Sequence, residues 1–94
     1  MDFKIRITQK AIADFEEILD YSWTNFPGTA ERFASGLLNH LDLLRRFPRL
    51  GSVRPRRPGV RMMVHFPIRI YYRIYDDQFL VEILHFWHGS RREP

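Results

Sequence analysis

The sequence predicts an α+β domain of order β-α-α-β-β-β, in which a helical hairpin packs on an antiparallel sheet. Three observations lead there. The chain opens on an alternating apolar and polar run, continues with two apolar stripes at helical spacing divided by Pro27-Gly28, and ends on three runs rich in β-branched and aromatic residues. At 94 residues, 45% of them apolar and 28% charged, the chain suits one domain over 1–94, and it carries no linker, repeat or low-complexity stretch.

Each element follows from local pattern. Phe3, Ile5 and Ile7 alternate with Lys4, Arg6 and Thr8, the period of a strand with one buried face, over about residues 2–7. Thr8 can cap a first helix over 9–25, where Ala11, Phe15, Ile18, Leu19 and Ser22 or Trp23 form an apolar side and Asp14, Glu16, Glu17 and Asp20 lie on other faces. Pro27-Gly28 breaks that helix, and Thr29 is the expected cap of the next. The second stripe, Ala30, Phe33, Ala34, Leu37, Leu41 and Leu44, ends near Phe47-Pro48, and a turn this short makes the two helices an antiparallel hairpin. Trp23, Phe26, Phe33 and Phe47 read as packing residues. Residues 48–59, with three Pro, two Gly and four Arg, read as an exposed basic loop without regular structure. Strands over 61–66, 68–75 and 79–87 then form a meander that turns at Pro67 and at Asp76-Asp77-Gln78. In the middle strand Ile68, Ile70, Tyr72 and Ile74 face the helices, and Arg69, Tyr71, Arg73 and Tyr75 form the displayed face.

Charge is distributed in blocks. The net charge is +4, but residues 1–42 carry −3, residues 43–75 carry +9 from nine Arg and no acid, and residues 76–94 carry −2. Thirteen Arg against two Lys favour planar, bidentate donors, suited to phosphate or to a partner's carboxylates. The absence of Cys excludes a thiol nucleophile and a Cys-ligated zinc, and suits a cytoplasmic protein. His40, His65, His85 and His88 lie on no strong metal-binding spacing, so no metal or cofactor is expected; His85 reads as a half-buried strand histidine. No signal-like or membrane-spanning apolar run occurs, so no membrane association is expected.

The order Ala11-x-x-Asp14-Phe15-x-x-Ile18-x-x-Tyr21, Ala30-x-x-Phe33, Leu44-x-x-Phe47-Pro48-x-Leu50-Gly51, Tyr72-Arg73-Ile74-Tyr75-Asp76-Asp77 and His85-x-x-His88-Gly89-x-Arg91 resembles the ParE branch of the RelE/ParE toxin superfamily. The resemblance spans nearly the whole chain. It implies the toxin of a type II toxin–antitoxin module, of the plasmid-stabilisation kind, neutralised by a cognate, ParD-like antitoxin whose acidic, partly helical segment folds on the toxin. The ParE branch further implies inhibition of DNA gyrase by binding, with any operator DNA contacted only through the antitoxin. On that reading Arg49, Arg54, Arg56, Arg57, Arg91 and Arg92 contact gyrase or its DNA, and Arg69, Arg73, Tyr71 and Trp87 receive the antitoxin.

The RelE branch implies a different chemistry, ribosome-dependent mRNA cleavage without metal. Cations must then surround the scissile phosphate, and one group must take a 2′-hydroxyl proton. The lysine pair of that branch falls on Val60 and Met62 or their neighbours, and no Tyr follows Tyr75 to serve as its terminal tyrosine. Arg61 and Arg91 match its phosphate-binding arginines, and His65 is a base candidate if a phosphate docks beside it. A non-toxic relative that binds antitoxins is a third reading.

Overall fold

The structure, a computed structural model, describes residues 2–25 and 27–88, the side chains of Ser22, Trp23, Pro27 and Thr29 excepted. It contains β1 (Lys4–Ile7), α1 (Gln9–Asn25), α2 (Pro27–Arg46), a 3-10 turn (Pro48–Leu50), β2 (Ser52–Val53), β3 (Val60–His65), β4 (Ile68–Tyr75), a second 3-10 turn (Asp76–Gln78) and β5 (Leu80–His88). The expected α+β class holds: α1 and α2 pack on one face of a five-stranded sheet of order β1-β5-β4-β3-β2. Three details differ from the expectation. The sheet is mixed, because β1 pairs with β5 in parallel. α2 begins at Pro27 instead of after it, since proline is accommodated in a helix's first turn; Thr29 therefore lies inside the helix. The basic segment 48–59 is ordered by a 3-10 turn, by β2 on the edge of β3, and by two successive tight turns.

Those turns follow from their prolines and glycine. Arg57 N–H donates to the Arg54 carbonyl at 3.1 Å across Pro55-Arg56, and Val60 N–H donates to the Arg57 carbonyl at 3.0 Å across Pro58-Gly59. Proline presets the first corner of each, and Gly59, at φ 79°, takes the left-handed second corner of the latter.

The core joins Ala11, Leu37, Leu41 and Leu44 of the helices to Met63, Ile68, Ile70, Tyr72, Val81, Ile83 and Phe86 of the sheet. Phe33 packs against it, whereas Phe47 is 55% exposed, a correction to its expected packing role: it lies past the end of α2, where the helical stripe no longer applies. Trp23 and Phe26 lie outside what the structure describes. No described helix is long and apolar enough to cross a membrane.

Thr8 caps α1 as its position predicts: its Oγ1 accepts from Ala11 N–H at 3.1 Å and donates to the Ile83 carbonyl at 2.9 Å. β1 ends at Ile7 opposite Ile83, so β5 has no strand partner on that side from Leu84 onward. There α1 closes the edge, and the carboxylate of Asp14, only 8% exposed, accepts from Phe86 N–H at 3.3 Å while also pairing with Lys10. At the same place the β4–β5 register shifts, with Tyr71 opposite His85 and Tyr72 opposite Ile83, which leaves Leu84 as the bulged residue.

On the helix side of β4 the fully buried Tyr72 hydroxyl donates to the Pro48 carbonyl at 2.7 Å and accepts from Gly51 N–H at 2.7 Å. A Cβ on Gly51 would stand 2.6 Å from that oxygen and 2.8 Å from the Met62 carbonyl, so this approach requires glycine. Where α2 passes the end of β3, the Nδ1 atoms of His40 and His65 lie 2.9 Å apart, and Phe33 contacts the His65 ring.

Two consequences are measurable. Tyr72→Phe strands a buried N–H and a carbonyl and is expected to cost about 1–3 kcal/mol, read from the urea midpoint. Burial first, then the neighbouring His40, lowers the His65 pKa below its ordinary 6.5. The unfolded chain therefore binds protons more readily than the folded one, so stability is full above pH 6.5 and falls as the pH drops from there through the lowered folded value. His85, also lowered, contributes in the same window; His65→Phe should reduce the slope of stability against pH, leaving the part due to His85.

Candidate functional site

Alternation along the strands places a distinct set of side chains on the sheet face turned away from the helices. Cross-strand pairing sets them in rows: Val64, Arg69 and Trp87; Met62, Tyr71 and His85; Val60, Arg73, Glu82 and Arg6. The turn 54–57 folds over the middle of this face. Its Arg57 guanidinium lies 5.7 Å from the Tyr71 ring centroid, and the Arg73 guanidinium reaches to within 3.9 Å of where a Gly59 Cβ would stand. Together the turn and the strand make one arginine-lined surface.

The expectation that Tyr71 is displayed on this face is corrected. It is 1% exposed, because Arg57 covers its ring from the turn and His85 meets it edge-on at 6.3 Å from the neighbouring strand. Arg69 and Arg73 share the face as expected, Trp87 joins them from β5, and all three are half-buried. Glu82 is already engaged, accepting from Arg6 at 2.8 Å and from the Tyr75 hydroxyl at 3.2 Å.

His85 sits where this face meets α1. Its Nδ1 lies 3.8 Å from the Asp14 carboxylate, beyond hydrogen-bond reach, and is buried. Burial first, then the Arg57 charge, lowers its pKa, and Lys10 adds to the lowering while Asp14 opposes it. The imidazole is therefore neutral at pH 7. Arg57 Nη1 is likewise buried without a hydrogen-bond partner. The sequence placed His85 correctly as a half-buried strand residue but gave no sign of its proximity to Asp14, 71 positions away, which only the edge closure by α1 creates.

The other candidates divide by location. Arg61 lies on the helix side of the sheet and donates to the Gly51 carbonyl at 2.8 Å, bracing the 3-10 segment. His65 lies on that side too, paired with His40. Arg49 donates through one nitrogen to both oxygens of Asp76, at 2.8 and 2.7 Å, and that pairing raises its already high pKa. Arg54 and Arg56 stand on the first tight turn, beside Arg57. Arg91 and Arg92 lie outside the described residues. The structure thus brings Arg57, Arg69 and Arg73 to one side of the sheet, with Arg54 and Arg56 on the turn that carries Arg57, and leaves Arg61 and His65 on the other. Among the described residues no three His, Asp or Glu side chains converge as metal ligands.

Comparison with known proteins agrees with this architecture. The fold is similar to the chromosomal ParDE toxin–antitoxin system from P. aeruginosa, with a TM-score of 0.77, 23% identity, and coverage of 94% of this chain and 97% of that one. It is also similar to the RelBE2 toxin–antitoxin complex from Mycobacterium tuberculosis, with a TM-score of 0.69, 24% identity, and coverage of 94% and 99%. The intact E. coli RelBE complex is more distant, at a TM-score of 0.62 and 13% identity, with coverage of 95% and 99%. No curated protein matches the sequence significantly. The family profile described as the ParE toxin of the type II toxin-antitoxin system, parDE, matches residues 5–93, and by that match the chain belongs to the ParE toxin family.

Proposed function

We propose that this toxin acts by binding, as an inhibitor of DNA gyrase, and that a cognate antitoxin with an acidic segment neutralises it in the cytoplasm. The observation that carries the reading is the joining of the 54–59 turns to the far face of β4. Arg57, Arg69 and Arg73 thereby share one face, beside the turn that carries Arg54 and Arg56, which supports the reading. Such a surface steers the toxin toward a polyanionic assembly and presents planar donors to phosphates or carboxylates. Pro55 and Pro58 keep the turns stiff, so little ordering entropy is lost when a partner arrives.

The chemistry needed for ribosome-dependent cleavage finds less support. Arg61 braces the Gly51 carbonyl, and His65 is held by His40 across the sheet from the arginine surface. A bond-breaking site must collect its cations and its base around one phosphate. Two features suit the antitoxin: the arginine surface for its acidic side chains, and a groove of about 450 Å³ between β1 and α2, lined by Ile5, Ile7, Leu38 and Leu41 together with Lys4 and the Asp42–Arg45 pair. That pairing of apolar groove and cations suits an amphipathic, acidic segment that folds on contact.

Reversing Arg54, Arg56 and Arg57 to Glu is expected to abolish growth arrest and to weaken gyrase inhibition at least about tenfold, with the circular dichroism spectrum unchanged. Growth arrest that persists in the folded variant would sink the placement of the target surface. Discrete new 5′ ends on translated mRNA, mapped by primer extension with the native chain, would replace gyrase inhibition by endonuclease activity.

A further inference from the structure

We infer that the outer edge of β1 is a docking site for an extended segment of a protein partner, which adds a strand to the sheet and alternates apolar with acidic side chains. This rests on the proposed antitoxin only in naming which partner carries the segment; the site itself is argued from the backbone and its surroundings.

The first observation is an open sheet edge. The strand order gives β1 a neighbour on one side only. In the parallel pairing with β5, Lys4 N–H donates to the Phe79 carbonyl at 2.8 Å and Thr8 N–H to the Ile83 carbonyl at 3.1 Å. The N–H and C=O groups of Ile5 and Ile7 therefore point the other way, out of the sheet. At Phe3 that outward direction is occupied, since Phe3 N–H donates at 2.7 Å to the Arg45 carbonyl near the end of α2. Beyond it, no described group bonds to the outward backbone of Ile5 and Ile7. The β5 edge is closed past Ile83 by Asp14; the β1 edge has no such cover. Free donors and acceptors along an edge are a template for a further strand.

The second observation selects the side chains. On the helix side, Ile5 and Ile7 face Leu38 and Leu41 of α2 across the groove, and Leu38 is 50% exposed. A strand laid along β1 alternates in the same way as β1. Every second side chain of it enters this apolar groove, and those between stand on the far face beside Lys4 and Arg6. Arg6 is already bonded to Glu82, whereas Lys4 has no ion pair among the described residues. An acidic side chain beside Lys4 supplies the missing counter-charge.

The third observation decides the kind of occupant. A helix satisfies its own backbone and leaves Ile5 and Ile7 unpaired, so the edge calls for an extended chain. A second copy of this protein, paired β1 to β1, would bring its own α1 and α2 against the ends of the gap, because β1 is flanked by Arg45 at Phe3 and by α1 from Gln9. A segment without a fold of its own meets no such obstacle.

The test uses the whole 94-residue chain, isotope-labelled for NMR, and a blocked heptapeptide that alternates glutamate with valine. The comparison peptides are the same sequence N-methylated throughout and one that alternates lysine with valine. The expected result is that amide exchange at Ile5 and Ile7 slows at least about tenfold with the glutamate peptide, and that both comparison peptides bind at least about tenfold more weakly. Leu38→Glu should weaken binding about tenfold without loss of fold, since Leu38 is half exposed, and Lys4→Glu should shift the preference to the lysine peptide. Unchanged exchange at Ile5 and Ile7, equal binding of the N-methylated peptide, or a dimer in sedimentation that protects the same amides would overturn the site. Co-expression with the cognate antitoxin separates the two readings. Neutralisation lost in the Leu38→Glu chain supports the site. Equal neutralisation of the native and Leu38→Glu chains overturns it and leaves the antitoxin reading standing, whereas peptide binding at the edge of a chain that no antitoxin neutralises keeps the site and discards that reading.

Discussion

The fold depends on how the edge of β5 is closed. β1 pairs with β5 only as far as Ile83, and beyond that point β5 would present unpaired backbone groups at a sheet edge. Thr8 and Asp14 resolve this within one helix. The threonine caps α1 and ties it to the Ile83 carbonyl, and the aspartate, one helical stretch later, takes the Phe86 N–H. A helix anchored at two points along a strand has little freedom to rotate. Ala11 is thereby set into the core, with α2 carried beside α1, and the bulge at Leu84 brings Phe86 onto the helix side and His85 onto the other.

The same constraint sorts the arginines. A chain with thirteen of them invites the view that all serve a partner, yet several carry the architecture. Arg61 braces the Gly51 carbonyl, Arg49 ties the segment after α2 to the β4–β5 turn through Asp76, and Arg6 joins β1 to β5 through Glu82. The exposed pairs among these contribute modestly, since solvent screens them. The consequence of the Arg61 and Arg49 contacts is positional: they brace the 3-10 segment from which β2 leads into the tight turns of 54–59, where Arg57 meets Tyr71.

What was legible in the sequence was periodic or locally capped. The alternation of Phe3, Ile5 and Ile7, the stripe from Ala30 to Leu44, the Thr8 cap and the alternation of β4 all name their elements, because each is a relation between residues a few positions apart. What escaped depends on distant contacts or on chemistry that periodicity does not encode. Two-residue β2 has no pattern to display, and the direction of β1 against β5 is decided by the path of the chain over the whole sheet. Tyr71 alternates correctly onto the far face yet is buried there, since alternation gives a side and not what covers it. Pro55 and Pro58-Gly59 do carry a turn signal, but the count of breakers reads as an exposed loop without regular structure where their spacing encodes two successive turns. The His40–His65 pair joins a helix to a strand across 25 positions, with no spacing rule to announce it.

These facts bear on why an arginine surface of this kind is built on turns and a strand and not on a mobile loop. A flexible basic loop would bind any polyanion weakly and lose the ordering entropy of each arginine on contact. Here part of that ordering precedes binding. The Arg57 guanidinium is already stacked on Tyr71, the turn beneath it is closed by two backbone hydrogen bonds, and Tyr71 is itself backed by β3 and β5 on either side.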